Sequence, residues 1–265
     1  MSEFYLPTSD LITSEVMEVV EKFEHIPLEE VLEGAQMERV DRKYPFHISE
    51  VPKILEGLAG NYKIVNAAGS VVSPYDSLYF DTADYLFYRK HHNGFLNRDK
   101  IRYRSYPRTR TTFLEVKCKS NKGRTAKSRI ECTDLKFPLK KDRMQFLSEN
   151  ISKVDPKTLV PSVFIKYQRI AFISKEGNER FSLDFNISAT LGNKETDFGK
   201  AVILEVKQDH KYTSPIIARL REMQIGEASM SKYCLTLAML KPELKANRFK
   251  MNLRQLRKII HEENH

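Results

Sequence analysis

The chain has 265 residues, with 44 Lys and Arg against 35 Asp and Glu, a formal net charge of +9, and 41% hydrophobic residues, enough for a core. No stretch approaches the roughly 18–20 consecutive apolar residues of a membrane helix, and the N-terminus lacks the pattern of a secretory signal. Three widely separated cysteines form neither a disulfide framework nor a CxxC metal pair. These features predict a soluble, cytoplasmic protein.

The charge is distributed unevenly along the chain. Residues 1–33 carry a net charge of −8, so the remainder carries +17. A body this basic repels itself unless an anion is close by, although a solvated basic surface would have the same composition. We expect an acidic helical segment over 1–36, a main domain over 37–242 and a basic C-terminal helix over 243–265.

Hydrophobic periodicity predicts the order of the helices and strands. Helices are expected at 9–24, 28–34, 49–59, 141–150, 214–224, 231–240 and 243–262, and strands at 38–47, 62–67, 76–81, 98–106, 112–120, 125–134, 163–174, 180–188 and 200–208. Most strands follow one another through short turns, without a helix between each pair. This order favours an α+β fold with an antiparallel sheet over a doubly wound parallel one.

Basic residues alternate along several of these strands. Side chains at i and i+2 share one face of a strand, so the strand at 98–106 carries a row of cations on one side. The basic positions on this and the neighbouring strands are Lys43, Arg98, Lys100, Arg102, Arg104, Lys117, Lys119, Lys127, Arg129, Arg169 and Lys207. An antiparallel sheet with one wet face also alternates, but opposed like charges destabilise it. The pattern favours a closed barrel with a charged lumen that holds water and a polyanion.

Phosphate is the anion that suits these side chains best. Guanidinium and ammonium groups match phosphate oxygens, and the few interleaved aromatic residues argue against a nucleic-acid strand. Glu205 is an isolated carboxylate, either salt-bridged to a nearby arginine or a ligand for Mg²⁺ or Mn²⁺; Asp184 and Glu115 are weaker candidates of the same kind. Ser231, at the start of a predicted helix, is either a cap or part of an anion site.

Ten short motifs give a family resemblance. In chain order they are Arg39-x-Asp41-Arg42-Lys43-Tyr44, SLYFDT (77–82), FYRKHHNG (87–94), NRDKIRYRSY (97–106), LEVK (114–117), KSRIE (127–131), YQRIAF (167–172), SLDFNI (182–187), LEVK (204–207) and SKYC (231–234). Together they resemble the vacuolar transporter chaperone (VTC) domain, the polyphosphate polymerase branch of the triphosphate tunnel metalloenzymes. The resemblance implies a closed, eight-stranded antiparallel tunnel packed outside by helices. It also implies dependence on Mn²⁺ or Mg²⁺, and transfer of the ATP γ-phosphoryl group to inorganic polyphosphate or pyrophosphate.

Carried over by motif, the resemblance also implies a set of site residues. The predicted catalytic residues are Lys43, Arg102, Arg104, Lys117 and Arg169. The predicted phosphate-binding residues are Arg89, Lys127, Ser231 and Lys232, to which the alternating stripe adds Lys100, Arg129 and Lys207. Glu205 is the predicted metal ligand.

The first strand departs from the tunnel hydrolases, which have ExExK where this chain has Arg39-x-Asp41-x-Lys43. The missing carboxylate disfavours activation of water and favours the VTC branch.

Two other functions stay open: a triphosphate or nucleotide hydrolase of the same fold, and a non-catalytic module that binds polyphosphate or RNA. The basic C-terminal helix would suit a membrane surface or an acidic partner, and no transmembrane segment or nucleic-acid partner is expected.

Overall fold

The computed structural model describes residues 14–32, 40–121, 125–134, 137–151, 153–208 and 213–261. Arg39, most of the turn at 121–124 and the start of the first predicted helix lie outside these ranges. The helices are α1 (Ser14–Val20), α2 (Leu28–Leu32), α3 (Val51–Leu55), α4 (Leu86–His92), α5 (Lys141–Asn150), α6 (Pro215–Glu222), α7 (Lys232–Leu240) and α8 (Lys250–His261). Within the described residues, no helix has the length and apolar content needed to cross a bilayer.

The strands form one large sheet. They are β1 (Glu24–Pro27), β2 (Val40–His47), β3 (Tyr62–Asn66), β4 (Val72–Thr82), β5 (Arg98–Tyr106), β6 (Thr111–Lys119), β7 (Thr125–Glu131), β8 (Leu159–Ser174), β9 (Glu179–Leu191), β10 (Lys194–Asp197) and β11 (Ala201–Gln208). The main path runs β2-β11-β9-β8-β4-β5-β6-β7, with β3 on β8, β10 on β9 and β1 on β3. Among the strand pairs of the described residues, only β1 and β3 are parallel. The predicted antiparallel sheet with helices is therefore confirmed.

Closure into an eight-stranded barrel is not confirmed. The described sheet has eleven strands, and its main path ends at β2 and β7 with no ladder between them in the described ranges. The two ends of the sheet approach each other through side chains instead, because Lys117 Nζ of β6 lies 3.6 Å from Asp41 Oδ2 of β2. The sheet is thus strongly curled and encloses a space on its inner face.

The outer face of the sheet is apolar and covered by helices. Ile170 and Phe172 of β8 pack with residues of α1, α3 and α6, while Ile101 and Leu114 pack with residues of α5. These side chains alternate with the basic ones, so the two-residue period of a strand separates a dry face from a charged face. Burial of each large apolar side chain contributes about 1.5–3 kcal/mol, which holds the curled sheet in place.

The inner face carries α7 at one end. Ile165 and Ile203 pack against this helix, whereas Glu205, two residues after Ile203, faces open space. The Ser231 hydroxyl caps α7 by accepting the Cys234 N–H at 3.3 Å, which places the first turn of α7 beside the charged strands. Leu256 of α8 is buried in the same apolar cluster.

Several predicted elements were wrong in type or extent. The sequence predicted helix up to residue 24, but Glu24 begins β1, which pairs with a partner far along the chain. The short helix α4 was not predicted. Its Phe87 and Tyr88 N–H groups are bonded at 2.8 and 3.0 Å by the carboxylate of Asp81, which lies outside the helix, so the stabilising contact does not show in the pattern of the helix itself. Strand β8 begins at Leu159 rather than residue 163.

Candidate active site

A basic cavity of about 200 Å³ opens on the inner face of the sheet. Nine basic side chains line it: Lys43, Lys100, Arg102, Arg104, Lys117, Lys127, Arg169, Lys207 and Lys232. Two carboxylates, Glu115 and Glu205, give the described lining a formal net charge of +7. Eleven of the thirteen predicted site residues, these nine together with Glu205 and Ser231, therefore lie together.

Glu115 fixes two of the cations. Arg102 donates from Nε and Nη2 to Glu115 Oε2 at 2.8 and 2.7 Å, and Lys127 Nζ lies 2.7 Å from Oε1. Burial would raise the pKa of Glu115, but Arg102 and Lys127 lower it to about 2. Glu115 is therefore ionised at neutral pH and holds these cations in position.

Asp184 has the same function on the opposite wall. Arg169 donates to its two oxygens at 2.5 and 2.7 Å, and Lys232 Nζ donates to Oδ2. Burial would raise the pKa of Asp184, but the two cations lower it to about 2. Since Asp184 is fully buried and its side-chain hydrogen bonds within the described residues come from Arg169 and Lys232, it holds these two cations in place.

Arg104 differs from both of these arginines. Its side chain is only 5% exposed, and the rings of Tyr75 and Tyr167 lie 5.1 and 5.5 Å from its guanidinium carbon. Among the described residues it has no carboxylate partner, and its Nε has no hydrogen-bond partner. A buried, unpaired charge is strongly unfavourable in a protein. Arg104 is therefore a cation that has no ion-pair partner among the described residues and faces a cavity in which an anion would be stabilised.

A model of the VTC domain matches residues 38–241, most of the chain. The chain belongs to the VTC domain family. The resemblance read from its motifs is thereby confirmed, and the match spans all of the cavity-lining strands and the start of α7. A comparison with curated protein sequences gives no significant match.

Solved structures resemble this VTC domain only distantly. A putative adenylate cyclase from Bacillus halodurans is 14% identical, covers 80% of this chain and 99% of its own, and has a TM-score of 0.45. The putative adenylyl cyclase HpAC1 from Hippeastrum, described as having a dominant triphosphatase activity, is 16% identical over 77% and 96%, with a TM-score of 0.47. PH1819 from Pyrococcus horikoshii OT3 is 14% identical over 76% and 99%, at 0.43. These similarities are too weak to support a conclusion about this chain.

Glu205 is the cavity carboxylate best suited to a metal ion. Its nearest cations are Lys207 Nζ at 3.5 Å and Arg169 Nη2 at 3.8 Å, and no hydrogen bond to its carboxylate is found in the described ranges. Burial opposes ionisation, but Lys207, Lys43 and the other cations hold the pKa of Glu205 well below its usual range. An ionised, loosely paired oxygen ligand fits Mg²⁺ or Mn²⁺, which often bind one protein carboxylate and complete their coordination with substrate phosphates. Within the described residues, no group of three or more His, Cys, Asp or Glu side chains could hold a metal unaided.

Two tyrosines on the cavity wall, Tyr79 and Tyr233, were not predicted from the sequence. Tyr79 accepts a hydrogen bond from Arg102 Nη1 at 3.0 Å and stacks on Tyr233, with ring centroids 4.8 Å apart. Burial would raise the pKa of Tyr79, but Arg102, Arg104 and Lys100 lower it to about 8. Tyr79 of β4 is paired with Arg102 of β5 and so lies on the same face of the sheet as the cavity cations. The alternation along the predicted strand could have identified it if polar aromatic residues had been considered.

Two polar contacts anchor the remaining walls of the cavity. Lys100 Nζ donates to Ser231 Oγ at 3.1 Å, and Lys43 Nζ donates to the Met230 carbonyl at 3.0 Å. The first turn of α7 thus joins two strands across the cavity. Ser231 caps its helix, which confirms one of the two interpretations of this residue, and it also accepts the bond from Lys100. Its part in an anion site stays a prediction.

Two predicted phosphate-binding residues lie outside the cavity lining. Arg89 is on α4, half exposed, and forms an ion pair with Asp84. The sequence predicted neither a helix nor a strand at this position, which lies in α4. Arg129 shares a strand face with Lys127, but its exposed guanidinium lies 4.6 Å above the Phe113 ring.

Proposed function

We propose that this VTC domain transfers the γ-phosphoryl group of ATP to the end of an inorganic polyphosphate chain, with the aid of Mn²⁺ or Mg²⁺. The principal observation is Arg104, a buried guanidinium with no described acidic partner in a cavity of formal charge +7. A linear phosphate polyanion supplies the missing negative charge, and its oxygens match guanidinium donors. The eight strands of the main path would then act as a tunnel around this substrate.

Each side of the cavity has its own part in the reaction. Arg102, Arg104 and Lys117 hold the β- and γ-phosphates of the nucleotide, while Lys43 and Arg169 place the acceptor chain in line. The bond between the γ-phosphorus and the bridging oxygen breaks, ADP leaves, and a terminal acceptor oxygen bonds to phosphorus. That oxygen is already anionic, so no general base is required. Charge stabilisation by pre-positioned cations dominates such transfers.

Glu115 and Asp184 make this positioning rigid. Because each anchors two cations through short contacts, the charges are in place before substrate arrives. Glu205 would hold the divalent ion, which supplies charge neutralisation between phosphate oxygens when bound.

Incubation of the purified protein with ATP and Mn²⁺ distinguishes the three candidate functions. A polymerase yields ADP and long anionic chains, visible by gel electrophoresis with a polyphosphate stain. A hydrolase yields only phosphate or pyrophosphate, and a binding module yields no product. Absence of long chains at any ratio of metal to ATP would contradict the proposal.

Arg102→Ala tests the cavity as the site of transfer. Loss of a cation that stabilises the transition state should lower the rate about 10²–10³-fold. Arg219→Ala is the matched control, because Arg219 lies on α6 in a partly exposed ion pair with Glu222, outside the cavity lining. Near-normal turnover of the Arg102 variant would exclude this assignment.

A further inference from the structure

An aromatic cluster continues the inner face of the sheet where the basic cavity ends. It consists of Tyr75, Tyr106 and Phe113, with the guanidinium of Arg129 over the Phe113 ring. Tyr106 lies 5.1 Å from Tyr75 and 6.1 Å from Phe113 between ring centroids. None of the three rings lines the basic cavity itself.

The strand register shows that the cluster directly adjoins Arg104. Phe113 of β6 is paired with Arg104 of β5, and Tyr106 is two residues beyond Arg104 on the same strand face. Tyr75 also touches Arg104, whose guanidinium carbon lies 5.1 Å from its ring. One arginine therefore stands at the boundary between the cationic part of the inner face and the aromatic part.

The chemistry of the cluster does not suit a phosphate chain. Its three rings are each partly exposed, and Arg129 has no described carboxylate partner. Phosphate oxygens gain nothing from an aromatic face, whereas a flat nucleobase stacks on aromatic rings and on guanidinium planes. A nucleoside triphosphate has a base at one end and a phosphate chain at the other. The inner face has an aromatic cluster next to a basic cavity, which matches this arrangement.

We propose that the aromatic cluster binds the base of the nucleoside triphosphate. This inference rests on the proposed function, because it requires the triphosphate to lie in the cavity. It fixes the direction of the nucleotide: the base lies at Tyr106, Phe113 and Arg129, and the phosphates run from Arg104 towards Arg102 and the lysines. Arg129, predicted as a phosphate contact, is reassigned to the base.

Affinities for ATP and for inorganic tripolyphosphate, measured by calorimetry on the full chain with Mg²⁺, test the assignment. Phe113→Ala should weaken ATP binding roughly 5- to 100-fold, the usual effect of losing one stacking partner, and leave tripolyphosphate binding unchanged. Phe113→Tyr keeps the ring and should bind both as the wild type does. Phe137→Ala, at an aromatic residue that is 47% exposed and lies outside the cluster, controls for loss of a surface ring.

Arg129→Lys gives a second variant that should not disturb folding, since the side chain is exposed and its charge is kept. It loses the planar guanidinium, so ATP affinity should fall while tripolyphosphate affinity holds. Equal losses for the two ligands, or no loss for either, would overturn the base site and indicate that the rings only support Arg104. If the wild type binds neither ATP nor tripolyphosphate, the proposed function is overturned, and the base site with it.

Discussion

Buried carboxylates behave in opposite ways in the cavity and in the packed regions around it. In the cavity walls, cations lower the pKa of Glu115 and Asp184 to about 2. Outside the cavity, burial raises the pKa of Glu179 and Asp81, whose hydrogen bonds from neutral donors only partly offset it. Burial acts in the same direction in all four, so neighbouring cations decide the outcome.

The two groups also do different work. Glu179 accepts a hydrogen bond from the Tyr62 hydroxyl, which in turn accepts the first N–H of α6 from Ile216 at 3.2 Å. Asp81 ties the start of α4 to Tyr233 of α7, whose hydroxyl donates to it at 2.5 Å. These acids join helices to the sheet, whereas the cavity acids hold cations in place around the cavity.

The largest expected effect comes from removing the charge of Asp184. Asp184→Asn leaves Arg169 and Lys232 buried without their anion, which should lower the free energy of unfolding by about 3–5 kcal/mol. Because the folded-state pKa is depressed to about 2, the stabilisation is present above pH 4 and is lost as pH falls through about 2. Urea unfolding between pH 2 and 7 measures both the loss of stability in the variant and the pH dependence of stability in the wild type. Glu222→Gln, at an exposed ion pair, should cost less than about 0.5 kcal/mol at pH 7.

Arg104→Gln should have the opposite effect to Asp184→Asn: it should lower activity and leave the stability of the fold unchanged. With no described acidic partner to be left unpaired, the variant should unfold at the same or a higher urea concentration. Its phosphoryl-transfer rate should fall about 10²–10³-fold. A large loss of stability would mean that Arg104 is held by the protein, and the main argument for an anionic ligand would then fail.

Glu179→Gln should stabilise the protein at neutral pH by about 1 kcal/mol, because a buried charge with neutral partners is removed. A raised folded-state pKa means that the wild type gains stability as pH falls through that pKa. The advantage of the variant should therefore disappear in acid. If thermal unfolding shows the same difference in stability between wild type and variant at pH 4 and at pH 8, the raised pKa of Glu179 is contradicted, and with it the contrast between the two regions.

The smallest expected effect is on the pH dependence of ligand affinity. Burial lowers the pKa of Lys100 to about 8, so the cavity loses a positive charge as pH rises above 8. Tyr79, with its pKa also about 8, becomes an anion over the same range. Tripolyphosphate affinity should therefore fall a few-fold between pH 7 and 9. Lys100→Arg should remove part of this fall, and an unchanged profile in the variant would exclude Lys100 as a contributor.

Alternation along strands predicted much of the cavity. The spacing of Lys100, Arg102 and Arg104 required them to share a face, and the alternate residues Ile101 and Tyr103 are indeed buried on the other side. The predicted roles of these cations remain predictions. The pattern did not predict which cations are ion-paired. Arg102 and Arg104 occupy equivalent positions in the alternation, but among the described residues only Arg102 has a carboxylate partner.

The sequence by itself determined the antiparallel character of the sheet, its charged face and the family, because these depend on periodicity and short motifs that each strand carries locally. Only the tertiary structure decided where β1 pairs, how the ends of the sheet meet, that Arg89 lies outside the cavity, and that Asp184 faces Arg169 and Lys232. Those features depend on contacts between residues far apart in the chain, and a local pattern does not encode which distant partner each side chain meets.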